Sequence, residues 1–341
     1  MKYIPVMFML CFRLVQAEPG FLKSISDSLP DYLIEKPYTF VSAGLNFQGT
    51  LTLPKNKLSN LPVTVLVHGS GPNDRDETIG PNKPFRDLAW GLAKYGIATY
   101  RYDKRTFTFV SEVTKNYDQF TLDQETVDDA VQAVLALKSD DSLNPASIFI
   151  IGHSQGAFAA PRIAQHEPDI NGVIMLAGNA RPLQKLLLEQ YNYVLGIDGI
   201  TDFEQKIIDE LKIKVDNLKK LSDTTLPPAN QLPLNLPGRY WLSFIHYDPV
   251  HTAEQISTPL LILQGEEDYQ VSMQDFALWQ SALQQKPQVT LKSYPGLNHL
   301  FFPGQPGVKS KPSDYQKVNH VDPLVIRDIA MWIHNHSEPM K

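Results

Sequence analysis

The chain is nearly without cysteine: among its 341 residues the single thiol is Cys11, close to the N-terminus. Beyond that position there is none, which excludes intrachain disulfides, cysteine nucleophiles and thiolate metal sites from the body of the protein. Basic clusters are lacking too. Thirty-one Lys and Arg stand against 37 Asp and Glu, for a net charge of −6, and no basic run is interleaved with aromatics. A nucleic-acid partner or a polyanionic substrate therefore has little electrostatic basis. No apolar run reaches the about 20 residues a membrane-spanning helix needs, so no stable membrane insertion is expected. Internal repeats and low-complexity tracts are absent as well.

What is present begins with a leader. Lys2 precedes an apolar run from Tyr3 to Phe12, and Val15-Gln16-Ala17 closes it with a small-x-small pattern. This reads as a secretory signal peptide over residues 1–17, with residues 18–341 exported to the periplasm or secreted. Arg13 interrupts the apolar core, so an amphipathic leader or weak anchor is the competing reading. Leu10 stands where a lipoprotein signal prefers a small residue, which disfavours lipidation of Cys11.

With 43% hydrophobic residues, the chain can bury more than one minimal core. Tyr38 to Ala43 and Leu45 to Leu53 read as a hairpin at a sheet edge. The pattern then changes to short apolar runs: Val63–Val67, Ile97–Tyr102, Ser147–Ile151, Val173–Leu176, Leu260–Leu263 and Val289–Tyr294. Such runs fit buried parallel strands. Between them, Phe85–Tyr95, Val127–Leu137, Ala157–Gln165, Phe276–Leu283 and Val325–Ile333 repeat their apolar residues about every 3.6 positions. Thr121 and Gln124 are spaced to cap the start of the second helical stretch. Strands alternating with helices predict an α/β fold around a mostly parallel, doubly wound sheet. Residues 181–255 break the alternation and are too long for a plain connection. They read as an inserted, largely helical cap over the carboxyl ends of the strands, or else as a surface decoration. Leu186, Leu187, Leu188, Tyr191, Trp241 and Phe244 give this insert apolar clusters that either line a cleft or pack the insert itself.

Gly152-His153-Ser154-Gln155-Gly156 sits between an apolar strand and a helix. At so tight a turn, residues two before and two after the serine must lack bulk, and the turn holds Oγ above the sheet. Ser154 is thus a candidate nucleophile, against the plainer reading of a serine that caps a helix. A serine needs a base oriented by an acid, and in this topology they follow in the order Ser, Asp or Glu, His. Asp268 lies just past one strand, with Glu266 and Glu267 as rival acids. His299 lies just past the next; His153, His246, His251, His320, His334 and His336 are weaker candidates. The backbone N–H of Gln155 should supply one oxyanion donor. The loop His68-Gly-Ser-Gly-Pro72 should supply the other, from Ser70 with Gly71 as its close rival.

Four motifs in order, HGSGPNDRDETIGPNKPFRDLAWGLAKYGIATYRYDKR, GHSQG, QGEEDYQV and GLNHLF, resemble the α/β-hydrolase superfamily. They resemble in particular its exported bacterial carboxylesterase-like serine hydrolases. The match spans nearly the whole chain after the leader. The resemblance implies the α/β-hydrolase fold, with Ser154 as nucleophile, Asp268 and His299 as its partners, and backbone donors in the HGSG loop. It also implies hydrolysis of small-molecule esters with no metal or organic cofactor. Peptidases and acyl thioesterases share the fold and remain alternatives, as does a non-catalytic binding protein. Within the long run, Arg75, Asp76, Asp103 and Arg105 either shape the pocket or pair to hold the loops. The sequence leaves the oligomeric state open.

Overall fold

The computed structural model describes residues 28–337; the expected leader lies outside them. Eight strands form one sheet: β1 Leu33–Ser42, β2 Leu45–Pro54, β3 Pro62–Val67, β4 Ala98–Tyr102, β5 Ser147–His153, β6 Gly172–Leu176, β7 Leu260–Gly265 and β8 Val289–Tyr294. Their spatial order is β1-β2-β4-β3-β5-β6-β7-β8. The first two strands form the expected antiparallel hairpin at the edge, with Ser42 opposite Leu45, and β2 meets β4 antiparallel. All other pairings are parallel.

The sheet is covered on both faces. In β5 every residue is buried, yet the pleat still divides them. Ile148 and Ile150 join one core, packed by α2 (Asp128–Lys138), α3 (Gln155–His166) and α8 (Met273–Leu283). Phe149 and Ile151 join the other, packed by α1 (Pro84–Ala93) and α9 (Pro323–Asn335). Two-sided burial is why the central strands read as apolar runs; Val289–Tyr294, expected to be a buried strand, is instead the edge strand β8, where only Tyr294 is buried and Thr290 and Lys292 are exposed. Thr121 and Gln124 exchange hydrogen bonds as a capping box, but the chain first makes a wider turn at Asp123–Val127 before settling into α2.

Between β6 and β7 lie α4 (Leu183–Leu195), α5 (Asp202–Asn217), α6 (Gly238–Ile245) and α7 (Pro249–Gln255). The Thr201 hydroxyl accepts from the Glu204 N–H while the Glu204 carboxylate accepts from the Thr201 N–H, which caps α5. This segment has a small core of its own, in which Leu187, Leu218, Leu232 and Trp241 are buried together. Trp241 is fully buried there, and its indole N–H donates to the Pro233 carbonyl at 3.1 Å.

Candidate active site

Ser154 stands where β5 passes into α3. Its backbone has φ +52° and ψ −114°, a left-handed conformation that L-residues adopt only under tertiary constraint. The flanking glycines make that turn sterically feasible. A Cβ on Gly152 would lie 2.4 Å from the Gly156 carbonyl oxygen, and one on Gly156 would lie 2.1 Å from that of Val67. The space between the two glycines, and between α3 and β3, is therefore already filled by main chain.

The loops that carry Asp268 and His299 leave the ends of β7 and β8. His299 Nδ1 is 2.6 Å from Asp268 Oδ2, with both side chains buried. A carboxylate only accepts, so Nδ1 carries the proton and Nε2 is left as the basic nitrogen. Asp268 is itself fixed: its Oδ1 accepts from the N–H groups of Gln270 at 2.7 Å and Val271 at 3.0 Å, and its Oδ2 accepts from Gln264 Nε2 at 3.1 Å. The rival acids are engaged elsewhere. Glu266 accepts from Ser293 Oγ and Glu267 from the Gly307 N–H. His246, His251, His320 and His334 are exposed, and His336 is half-buried against the Trp332 carbonyl.

Ser154 and His299 line one cavity, together with His153, Gln155, Gly69 and Ser70. Gln155 is the first residue of α3, so its N–H has no acceptor within the helix. In the loop after β3 the Gly69 N–H is committed, donating to Glu77 Oε1 at 2.6 Å. Ser70 lines the cavity, whereas its rival Gly71 does not. Helix α4 presents Leu183, Leu186, Leu187, Tyr191 and Val194 to the same space, and Phe244 joins them from α6. Trp241 does not reach it and belongs to the insert's own core, and Leu188, half-buried, lies in neither.

Several groups in and behind this site escaped the sequence reading. Glu77 is buried and pairs with His153, Nδ1 to Oε2 2.8 Å, off the hydrogen-bond axis. Burial opposes charge on His153, but the Glu77 carboxylate outweighs it and raises the imidazole above its ordinary value. Burial likewise opposes ionisation of Glu77, and His153 overcomes it to hold the carboxyl below the usual range. His68, fully buried, is pushed down to about 4 by burial. Lys104 and Glu125 form a second buried pair at 2.8 Å. Neither pairing has a local signal in the sequence. The residues singled out beside them hold loops instead. Arg75 binds Asp103 at 2.5 Å, Asp76 binds Arg101, and Arg105 binds Asp129 at 2.5 Å; none lines the cavity. Among the described residues, no three His, Cys, Asp or Glu side chains converge as a metal site would, and no helix is long and apolar enough to cross a membrane.

A strained serine between glycines at a strand-to-helix turn, on an eight-stranded sheet of this order, defines a class. The chain belongs to the α/β-hydrolase family, whose model matches residues 64–308. It is 36% identical over 306 residues to Esterase EstD of Thermotoga maritima, covering 89% of this chain and 70% of that relative. Among solved structures, Est1E from Butyrivibrio proteoclasticus aligns with a TM-score of 0.55 at 18% identity, over 88% of this chain and 98% of that one. The acylaminoacyl peptidase of Pyrococcus horikoshii aligns with a TM-score of 0.54 at 14% identity, over 89% of this chain and 42% of that one. These two likenesses are of fold alone.

Proposed function

We propose that the protein is a serine esterase that cleaves carboxylic esters through an acyl-enzyme. The observation that carries this reading is the 2.6 Å contact of His299 Nδ1 with Asp268, which orients His299 as a base in the cavity that Ser154, on its strained turn, also lines. Ser154 Oγ attacks the ester carbonyl while His299 Nε2 takes its proton. The carbonyl oxygen becomes an oxyanion that accepts from the N–H groups of Gln155 and Ser70. The intermediate collapses, the alcohol leaves with the proton held by His299, and Asp268 stabilises the imidazolium without itself being protonated. Water then repeats the sequence on the acyl-enzyme and releases the acid.

The kinship with an esterase at 36% identity supports an ester over a peptide or thioester substrate. The leucine-rich wall offered by α4 fits an apolar acyl group. On this reading the insert is a cap that shapes the cleft, and the protein works outside the cytoplasm after cleavage following Ala17. Intact mass of the product exported by a bacterial host should place its N-terminus at Glu18; a cytoplasmic product retaining residues 1–17 overturns export.

The decisive experiment pairs labelling with substrate screening. A fluorophosphonate should label wild type once per chain at Ser154 and should not label His299→Ala. Ser154→Ala should fold and lose nearly all turnover of nitrophenyl esters, keeping only what binding and the oxyanion hole supply. Activity within a few-fold of wild type would remove Ser154 from the mechanism. Faster turnover of an aminoacyl arylamide or a thioester than of any ester in a graded series would overturn the substrate class.

A further inference from the structure

The peptide joining Gly69 to Ser70 is held from behind by a buried cation. Lys104 Nζ donates to the Gly69 carbonyl oxygen at 2.7 Å, and Asn73 Nδ2 donates to the same oxygen at 3.2 Å. Gly69 and Ser70 line the cavity, while Lys104 and Asn73 do not. In a trans peptide the N–H points opposite to the C=O. Drawing the Gly69 oxygen back toward Lys104 therefore turns the Ser70 N–H forward, toward the cavity.

The cation belongs to a cluster that also reaches the other donor. Lys104 pairs with Glu125 Oε1, and Glu125 Oε2 accepts from Gln155 Nε2 at 2.9 Å and from the Tyr240 hydroxyl of α6. Lys104, Glu125, Gln155 and Tyr240 are all buried. One side of the cluster orients the Ser70 peptide, and the other fixes the side chain of Gln155.

We propose that Lys104 is a positioning residue for the oxyanion hole. Its ammonium, bound to the Gly69 carbonyl, fixes the direction of the Ser70 N–H and draws electron density through the amide, making that N–H a stronger donor. A charge-assisted bond in a water-excluded site is suited to both tasks. The benefit is greatest when the substrate oxygen carries full charge, so it falls on the transition state rather than on the bound ester. The inference rests on Ser70 being a donor in the proposed esterase mechanism. The competing role for Lys104 is only to neutralise Glu125, since a buried carboxylate left alone is strongly destabilising.

The test compares wild type, Lys104→Met, Lys104→Gln and the double variant Lys104→Met/Glu125→Gln, with folding followed by circular dichroism and melting temperature. Turnover of a nitrophenyl ester is measured beside inhibition by two ligands of equal chain length. An alkyl trifluoromethyl ketone forms an oxyanion on the serine; the matching carboxamide binds without forming one. Lys104→Met should lose about 10- to 100-fold in kcat, somewhat less than loss of a whole oxyanion donor, with KM almost unchanged. The ketone's Ki should rise as kcat/KM falls, and the carboxamide's Ki should stay as in wild type. Lys104→Gln, which keeps an N–H donor, should recover part of the loss, and the double variant should show the same deficit as Lys104→Met. If Lys104→Met does not fold, the other two variants carry the same measurements. A double variant restored to wild-type kcat, or equal weakening of both inhibitors, overturns the proposal. Wild type that fails to react with a fluorophosphonate at Ser154 overturns instead the serine mechanism beneath it.

Discussion

His153 joins Glu77 to the loop of the proposed base: its Nδ1 lies 2.8 Å from the Glu77 carboxylate, and its Nε2 lies 3.1 Å from the carbonyl oxygen of His299. Glu77 in turn accepts the Gly69 N–H. His153, next to Ser154 at the end of β5, thus connects the loops after β3 and β8, the first through a charged pair and the second through a hydrogen bond.

That pair should give the folded state a pH-dependent increment. His153 has its folded value raised above 6.5, so its contribution is full below 6.5 and is lost as pH rises through the raised value. Glu77 has its folded value lowered below 4.5, so its contribution is full above 4.5 and is lost as pH falls through the lowered value. The melting-temperature difference between wild type and Glu77→Gln should therefore be largest between 4.5 and 6.5 and should shrink on both sides. A difference that is flat from pH 4 to 9 contradicts an ionised pair.

His68 should act in the opposite sense. Its Nε2 is 3.0 Å from the Asp74 carbonyl oxygen while its Nδ1 is buried without a partner, an arrangement that suits a neutral ring. With its value lowered to about 4, the unfolded chain takes up a proton near 6.5 that the folded chain refuses. Stability is then lost progressively as pH falls from 6.5 toward 4. His68→Gln keeps an N–H donor for Asp74 and does not titrate there. Its melting temperature should fall less steeply than that of wild type over this interval; parallel curves would contradict the burial effect.

Much of this was legible in the sequence because it depends on local order along the chain. Unbroken apolar runs such as Ser147–Ile151 give away strands buried on both faces. The glycines of GHSQG announce a turn whose close contacts, Gly152 to Gly156 and Gly156 to Val67, are backbone to backbone. Asp268 and His299 were legible for a similar reason, since each follows a strand by a few residues. The charged pairs were not. Glu77 meets His153, and Lys104 meets Glu125, across separate elements, and nothing local in the sequence joins either pair. Arg75 and Asp103 look just as functional in sequence and yet pair with each other, Arg75 also reaching Thr50 of β2.

Gly156→Ala should show how little room the turn has. Its added methyl would lie 2.1 Å from the Val67 carbonyl oxygen, a main-chain atom of the adjoining strand that cannot rotate away. Either α3 shifts off the sheet or the turn opens, at a cost of about 1–3 kcal/mol or more for such overpacking. Melting temperature should fall, and fluorophosphonate labelling of Ser154 should slow even at temperatures where the variant is folded. Wild-type labelling at full stability would mean that the turn yields without moving the serine.

The insert separates structure from specificity at two of its residues, Trp241 and Leu186. Trp241 is sealed in the insert's core, away from the cavity, and its loss should cost about 3–5 kcal/mol, as for other large aromatic truncations. Leu186 is buried at the cavity wall on α4, where added volume shortens the space open to an acyl chain. Each methylene that enters an apolar pocket gains about 0.8 kcal/mol, or roughly four-fold in kcat/KM. Wild type should therefore climb with acyl length until the cavity is full and then drop. Leu186→Phe should reach its maximum at a shorter chain, whereas Trp241→Ala should melt earlier and keep the wild-type maximum. Profiles measured over a graded nitrophenyl series decide between them. If Leu186→Phe leaves the maximum unmoved, the acyl chain does not run along α4, and the leucines there only pack the insert onto the sheet.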